Sequence, residues 1–202
     1  MKSEEMKSEK YKFRYAFGFI SKGKSYFSLF ILSLFTLFSC SDAERLYDNY
    51  PVRLVVQNTN TIDVLNGALS GMGEFCTIVS QGTTIDYTNL KMTRSVTLTA
   101  RDLNYGHYVF GRSNGFVVGH TSMISSRFPD QVVCYDIVCP NCYFDINVTR
   151  NVQVLAGARA QCGSCQRIYD LNELGMVAQG EGGRSLYRYP VRYSPFTLVV
   201  GN

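Results

Sequence analysis

The 202-residue chain is poor in charge, in histidine and in long apolar runs, and each shortage removes a class of function. Charged residues make up 18% of it and aromatics 13%, too little charge and too much ring surface for a disordered chain. Nor does it carry the periodicity of a repeat array or a collagenous chain. The formal net charge of +4 is unevenly placed: residues 1–39 hold seven Lys/Arg against three acids, leaving residues 40–202 with 13 of each. The basic excess belongs to the leader, so a nucleic-acid partner loses its compositional support. Only two histidines occur, His107 and His120, each preceded by glycine. A histidine near a strand end is more often structural than a ligand, and neither is assigned to a metal. No Ser/His/Asp order, no paired catalytic carboxylates and no phosphate loop emerge, and Gly180-Glu181-Gly182-Gly183 lacks the strand-to-helix context of a nucleotide site. With no catalytic constellation found, the enzyme question stays open, a non-enzyme being the leading reading and an electron carrier the other. Seven cysteines, by contrast, are many for this length.

The longest apolar run, Tyr26–Phe38, has 13 residues, short of the roughly 20 needed to span a bilayer as a helix. Following a basic stretch that ends Lys22-Gly23-Lys24, it has the length and flanks of a signal-peptide core. It runs into Leu37-Phe38-Ser39-Cys40, which resembles a bacterial lipobox: an aliphatic residue, a small residue, then the cysteine that takes the lipid. The alternatives are an uncleaved anchor or a buried N-terminal helix. The resemblance implies residues 1–39 as a lipoprotein signal peptide, Cys40 as the lipidated mature N-terminus and residues 40–50 as a tether. Ser41 after the cysteine, in place of Asp, implies the outer membrane of the cell envelope. No Arg-Arg pair precedes the apolar run, so export is expected by the general secretory route, with the chain unfolded.

Residues 51–202 read as one all-β domain, a β-sandwich or partly open barrel with a small cysteine-bearing lobe. Strands are expected at 52–56, 76–79, 95–99, 108–110, 115–118, 132–138, 185–189 and 196–200, where β-branched and aromatic residues recur between Gly, Asn and Asp. Helix is expected nowhere beyond one short turn within Leu65–Met72.

Four of the cysteines form two Cys-x-x-Cys pairs, Cys139-Pro140-Asn141-Cys142 and Cys162-Gly163-Ser164-Cys165, with 19 residues between them. A two-residue spacer turns the chain so that both sulfurs point to one side. Two such turns together offer four thiolates to one tetrahedral ion, zinc or a single iron, with zinc–sulfur bonds of about 2.3 Å. The intervening Phe144–Val148 and Val152–Leu155 look like a hairpin that carries one pair back over the other. Disulfides, in an oxidising compartment, or redox-active dithiols are the other readings. Dithiol chemistry at Cys162 would need a helix after a strand, and no helix is expected after Cys165. Cys76 and Cys134 lie in apolar strand-like runs, where burial or a mutual disulfide is expected.

From Cys139 to Val200 the chain resembles the cluster-binding part of Rieske iron–sulfur proteins. Cys139 matches the cysteine of their first box. Cys162 matches the cysteine of the second, Cys165 stands at the histidine of that box, and Tyr169-Asp170 take the Phe-Asp place. Gly175 and Gly180-Glu181-Gly182 follow at the glycine and Gly-Pro-Ala places, then Leu186, Tyr189 and Val191 at the family's intervals. The resemblance implies the fold and a metal centre on Cys139, Cys142, Cys162 and Cys165. Cysteine at both histidine positions, and a first box one residue longer, depart from the pattern. Rieske clusters owe their potential to two histidine ligands on one iron, so quinol oxidation is not expected here. An all-cysteine [2Fe–2S] cluster is the alternative, but such clusters are assembled in the cytoplasm, and a chain exported unfolded cannot carry one. Zinc can bind after translocation. The expected function is therefore a lipid-anchored envelope protein with a structural metal centre that binds an envelope protein partner; the alternative is an electron carrier.

Overall fold

The computed structural model describes residues 46–100, 108–122 and 131–201, which fall within one compact unit beginning at Leu46. Cys40, the signal peptide, most of the tether and His107 lie outside the described residues. The chain runs β1 (Arg53–Gln57), a 3-10 turn (Thr59–Thr61), α1 (Asp63–Ser70), β2 (Phe75–Gln81), β3 (Thr84–Thr88), β4 (Thr93–Thr97), β5 (Gly115–His120) and β6 (Val132–Asp136). It continues with α2 (Pro140–Asp145), β7 (Val152–Leu155), β8 (Arg159–Cys162), β9 (Ile168–Asp170), β10 (Met176–Gln179), β11 (Arg188–Tyr189), β12 (Val191–Ser194) and β13 (Thr197–Gly201). The all-β class holds: the strands form three antiparallel sheets, none closed into a barrel, and the cysteines occupy a lobe of their own.

The middle layer is a six-stranded sheet in the order β11-β6-β5-β2-β3-β4. Its strand β5, Gly-Phe-Val-Val-Gly-His, is apolar without alternation because both its faces are covered. Phe116 and Val118 point into one core, with Cys76, Ile78 and Cys134 of the same sheet and Leu54, Val56, Leu198 and Val200 of the three-stranded sheet β1-β13-β12. Val117 points the other way, with Phe75, Val133 and Tyr135, toward the four-stranded sheet β10-β9-β8-β7 and the cysteines. Each fully buried aliphatic or aromatic side chain contributes on the order of 1.5–3 kcal/mol of transfer free energy, so this doubly covered strand is the centre of the fold.

Three expectations are corrected. Leu65–Ser70 belongs to a two-turn helix, α1, whose Val64, Leu65, Ala68 and Leu69 are buried on one face; at two turns the spacing is too short to stand out in the sequence. Phe144–Val148 is not a strand: Phe144 and Asp145 end α2, and the hairpin partner of Val152–Leu155 is β8. Pro140 at the first helical position, with its missing N–H and preset φ, is what starts α2 there. The expected strands at 108–110 and 185–189 shrink to a single bridge between Val109 and Arg53 and to the two residues of β11.

Cys76 and Cys134 face the same core, both opposite Val118 on adjacent strands. Two strand spacings of about 4.8 Å separate them, beyond the roughly 7 Å within which a disulfide closes. Both are buried free thiols.

Candidate metal centre

The sulfurs of Cys139, Cys142, Cys162 and Cys165 converge, all within 4.8 Å of one another. Two separations are 3.6 Å, Cys139–Cys165 and Cys142–Cys162, and both run between the two loops. Each Cys-x-x-Cys is turned by a different device. Cys139 caps α2, Cys142 lies in its first turn, and Tyr143 N–H donates to the Cys139 carbonyl at 3.0 Å. Tyr143 is therefore helical and needs no glycine. At the second pair the chain reverses between β8 and β9: Gln166 N–H donates to the Cys162 carbonyl at 2.9 Å, and Cys162 N–H to the Arg167 carbonyl at 3.0 Å. Gln166 takes φ of 60°, the left-handed conformation that glycine usually supplies after the second cysteine. Its side-chain amide closes the turn by donating to the Gly163 carbonyl at 2.5 Å.

Around the sulfurs is a shell that sequence reasoning did not assign. The Tyr169 hydroxyl lies 3.0 Å from Cys139 Sγ and accepts from Asn141 Nδ2 at 2.9 Å. Tyr169 entered the sequence reading only as the aromatic of a motif, and the hydroxyl that distinguishes it from Phe was the available signal. Asn141, the buried amide in the first spacer, also donates to the Arg184 carbonyl at 3.1 Å and accepts from Arg184 N–H at 2.9 Å. A third loop, Gly180–Arg184, is thereby bound to α2. The loop comes so close that a Cβ on Gly183 would overlap the Asn141 side chain. Arg167 joins the same loop to the second pair, donating from Nε to the Glu181 carbonyl at 3.0 Å. Gly183 thus serves backbone proximity, whereas a Cβ on Gly182 would meet open space.

Electrostatics differ sharply among the four thiols. Burial pushes Cys142 up to about 12, and the neighbouring sulfurs add to it. Cys139 is also raised, burial outweighing the Tyr169 hydroxyl bond. At Cys165 burial opposes ionisation as well, but the backbone and side chain of Arg167 and the adjacent sulfurs overcome it and lower the thiol to about 7. Four thiolates this close repel one another unless a cation lies between them; a metal ion deprotonates coordinating thiols outright. The donor set is soft, convergent and largely buried, and it fits zinc or iron.

The remaining candidates fall away from this site. His120 ends β5, its Nδ1 2.8 Å from the Thr121 carbonyl and its Nε2 3.2 Å from Gln131 Oε1, outside the cysteine group. The six described cysteines are all free. No helix follows Cys165 among the described residues: Gln166 and Arg167 lead straight into β9. Cys139 does begin a helix after a strand, but its thiol is raised, the opposite of a reactive dithiol. No protein-family model matches the chain, and comparison with curated proteins finds no significant relative.

Proposed function

We propose that the chain is a lipid-anchored cell-envelope protein of Rieske-like fold whose four cysteines hold one structural zinc ion, and that it works by binding a partner protein at the membrane surface. The observation that carries the metal reading is the compactness of the sulfurs, all within 4.8 Å of one another. A tetrahedron with bonds of about 2.3 Å has edges of about 3.8 Å, close to the two separations of 3.6 Å. In a [2Fe–2S] cluster, two such tetrahedra share a sulfide edge, which holds cysteine sulfurs on opposite irons roughly 5.3–6.5 Å apart. The spread of the four sulfurs supports one ion over a cluster. A single iron has the same geometry as zinc. Zinc is preferred because a chain exported unfolded acquires its metal outside, where zinc needs no reducing assembly system.

The Rieske-like reading is supported by where the motif residues fall. Cys139, Cys162 and Cys165 meet at one point, and Gly180–Gly182 belong to the loop that Asn141 and Arg167 bind beside them. Leu186 is buried in the core beneath, and Tyr189 donates to Asp136 at 2.8 Å. The lipid anchor is supported by the sequence Leu37-Phe38-Ser39-Cys40 after a short apolar run. With the sulfurs enclosed by protein on most sides, the metal ties α2, the β8–β9 turn and the third loop into one rigid end.

Metal analysis and one absorption spectrum of protein purified from its native envelope test the metal reading. One zinc per chain and a colourless solution are expected. Absorption between about 400 and 500 nm, from iron–sulfur charge transfer, would replace zinc by the electron carrier. Acyl labelling tests the anchor: Cys40→Ala should abolish it, and unchanged labelling would remove the lipoprotein from the proposal.

A further inference from the structure

The segment after the tether is held by a chain of contacts that leads to exposed apolar residues beside the metal centre. Leu46 and Tyr50 are exposed there. Asp48 fixes the segment, its N–H donating to the Arg188 carbonyl at 2.7 Å and its carboxylate pairing with Arg112 at 3.0 Å. The Arg112 guanidinium lies over the rings of Tyr50 and Tyr187, 4.6 and 4.5 Å from their centroids. Tyr187 in turn contacts Phe144, ring to ring, at 6.4 Å. Phe144 and Ile146, just beyond Cys142, are 53% and 59% exposed. The Arg184 guanidinium covers one face of Phe144 at 4.1 Å.

We infer that this end, with Phe144 and Ile146 as its tip, rests on the lipid bilayer, so that the metal centre faces the membrane surface. The inference rests on the lipid-anchoring reading given above, and its first argument is chain length. From Cys40 to Leu46 there are six residues, which in any conformation reach at most about 22 Å. The end fixed by Asp48 therefore cannot stand far from an acyl chain at Cys40, and Phe144 is joined to it through Tyr187, Arg112 and Tyr50. The second argument is composition. Tyrosine rings and arginines around a small apolar tip suit the headgroup layer, where one side of the residue is wet and the other is not. Asp145 lies between Phe144 and Ile146 in the chain and Asp48 neutralises Arg112, so the contact is apolar and aromatic and does not depend on anionic lipid. Two apolar side chains bind a bilayer weakly alone; with an acyl anchor they set orientation.

The chain contains no tryptophan, so a single introduced one reports its own position. Full-length acylated protein bearing Phe144→Trp, and separately Ile146→Trp, is reconstituted in phosphatidylcholine vesicles whose acyl chains are brominated at known depth. Leu90→Trp is the control, because Leu90 is exposed in the hairpin between β3 and β4, at the sheet edge opposite β11. A blue shift and loss of most of the emission at 144 and 146, none at 90, and no change on adding anionic lipid are expected. Acylated protein that floats with the vesicles while both tip reporters stay unshifted and unquenched overturns the inference and leaves the tip to a protein partner. Protein that carries no acyl chain by mass spectrometry and stays in the aqueous phase overturns the anchoring reading, and the inference falls with it.

Discussion

The two faces of the six-stranded sheet are packed by different chemistry. On one face Leu54, Val56, Leu65, Leu69, Leu198 and Val200 meet Ile78, Phe116 and Val118, a layer of large apolar side chains with α1 closing its side. On the other, the cysteine lobe supplies Val152, Leu171 and Leu186 together with small or polar-tipped residues, Ala158, Ala160, the cysteines and Tyr169. The lobe's outer strand β10 is mostly exposed. Large apolar side chains dominate the first face, whereas the second mixes them with small and sulfur-bearing ones. What the lobe has instead is cross-bonding: Asn141 to Arg184, Arg167 to Glu181, Tyr169 to Cys139, and four convergent sulfurs. Where small and polar-tipped residues take up part of a core, directional bonds add to the packing, and a bound metal is the strongest of them.

The sharpest way to break this contrast is at the sulfurs. Cys162→Ser should abolish metal binding, since structural sites of this type draw on the order of 10 kcal/mol from the ion. Amide exchange should then rise across residues 139–184, while β1, β2 and β5 stay protected. Exchange rising uniformly through all three sheets would show that the two faces are one cooperative unit. On the opposite face, Phe116→Ala should lower global stability by about 3–5 kcal/mol, measured by denaturant unfolding. Metal content should be unchanged in the protein that remains folded, because Phe116 points away from the lobe. Tyr169→Phe is gentler: it removes only the hydroxyl shared by Cys139 and Asn141. Metal affinity should fall about 10- to 100-fold, read by competition with a chelator, with the fold intact.

How much of this was legible in the sequence follows the same contrast. Most strands of the apolar face declared themselves, because Val-Val and Phe-Val-Val runs have few places to go except a covered sheet; β3 and β12, rich in Thr, Asp, Arg and Ser, were not expected. The four ligands were legible too, since paired spacing is a local property. The turn that presents the first pair was not. Pro140 opens a helix there, but Tyr143-Phe144-Asp145-Ile146 has the composition of a strand, and the contacts that hold Phe144 come from distant Arg184 and Tyr187. The Gln166 turn was opaque for the opposite reason: its left-handed backbone is unfavourable locally and is held by its own amide bonding Gly163. Asn141 could not be read as a clamp because its partner loop is over forty residues away in the chain.

The smallest expected effect concerns Asp136, fully buried at the end of β6 where the two regions meet. Its carboxylate accepts from Arg112 N–H at 2.7 Å, from Val138 N–H at 2.8 Å and from the Tyr189 hydroxyl at 2.8 Å. Burial raises its pKa above the ordinary 3.8, and these three donors recover only part of the shift. A carboxyl whose pKa is higher folded than unfolded binds its proton more tightly in the native state. Its contribution to stability is therefore full below the unfolded value of 3.8, and it is lost as pH rises through the folded one. Asp136→Asn has no such titration. Its amide oxygen can accept from two of the donors, but its NH2 meets the third head-on, so the variant should be less stable at neutral pH by about 1–3 kcal/mol. Unfolding free energy measured from pH 3.5 to 7 should decline more steeply in the native protein than in Asp136→Asn, so that the gap between them narrows as pH rises. Parallel pH profiles for the two proteins would mean that the carboxyl titrates alike folded and unfolded, and that the three donors fully offset its burial.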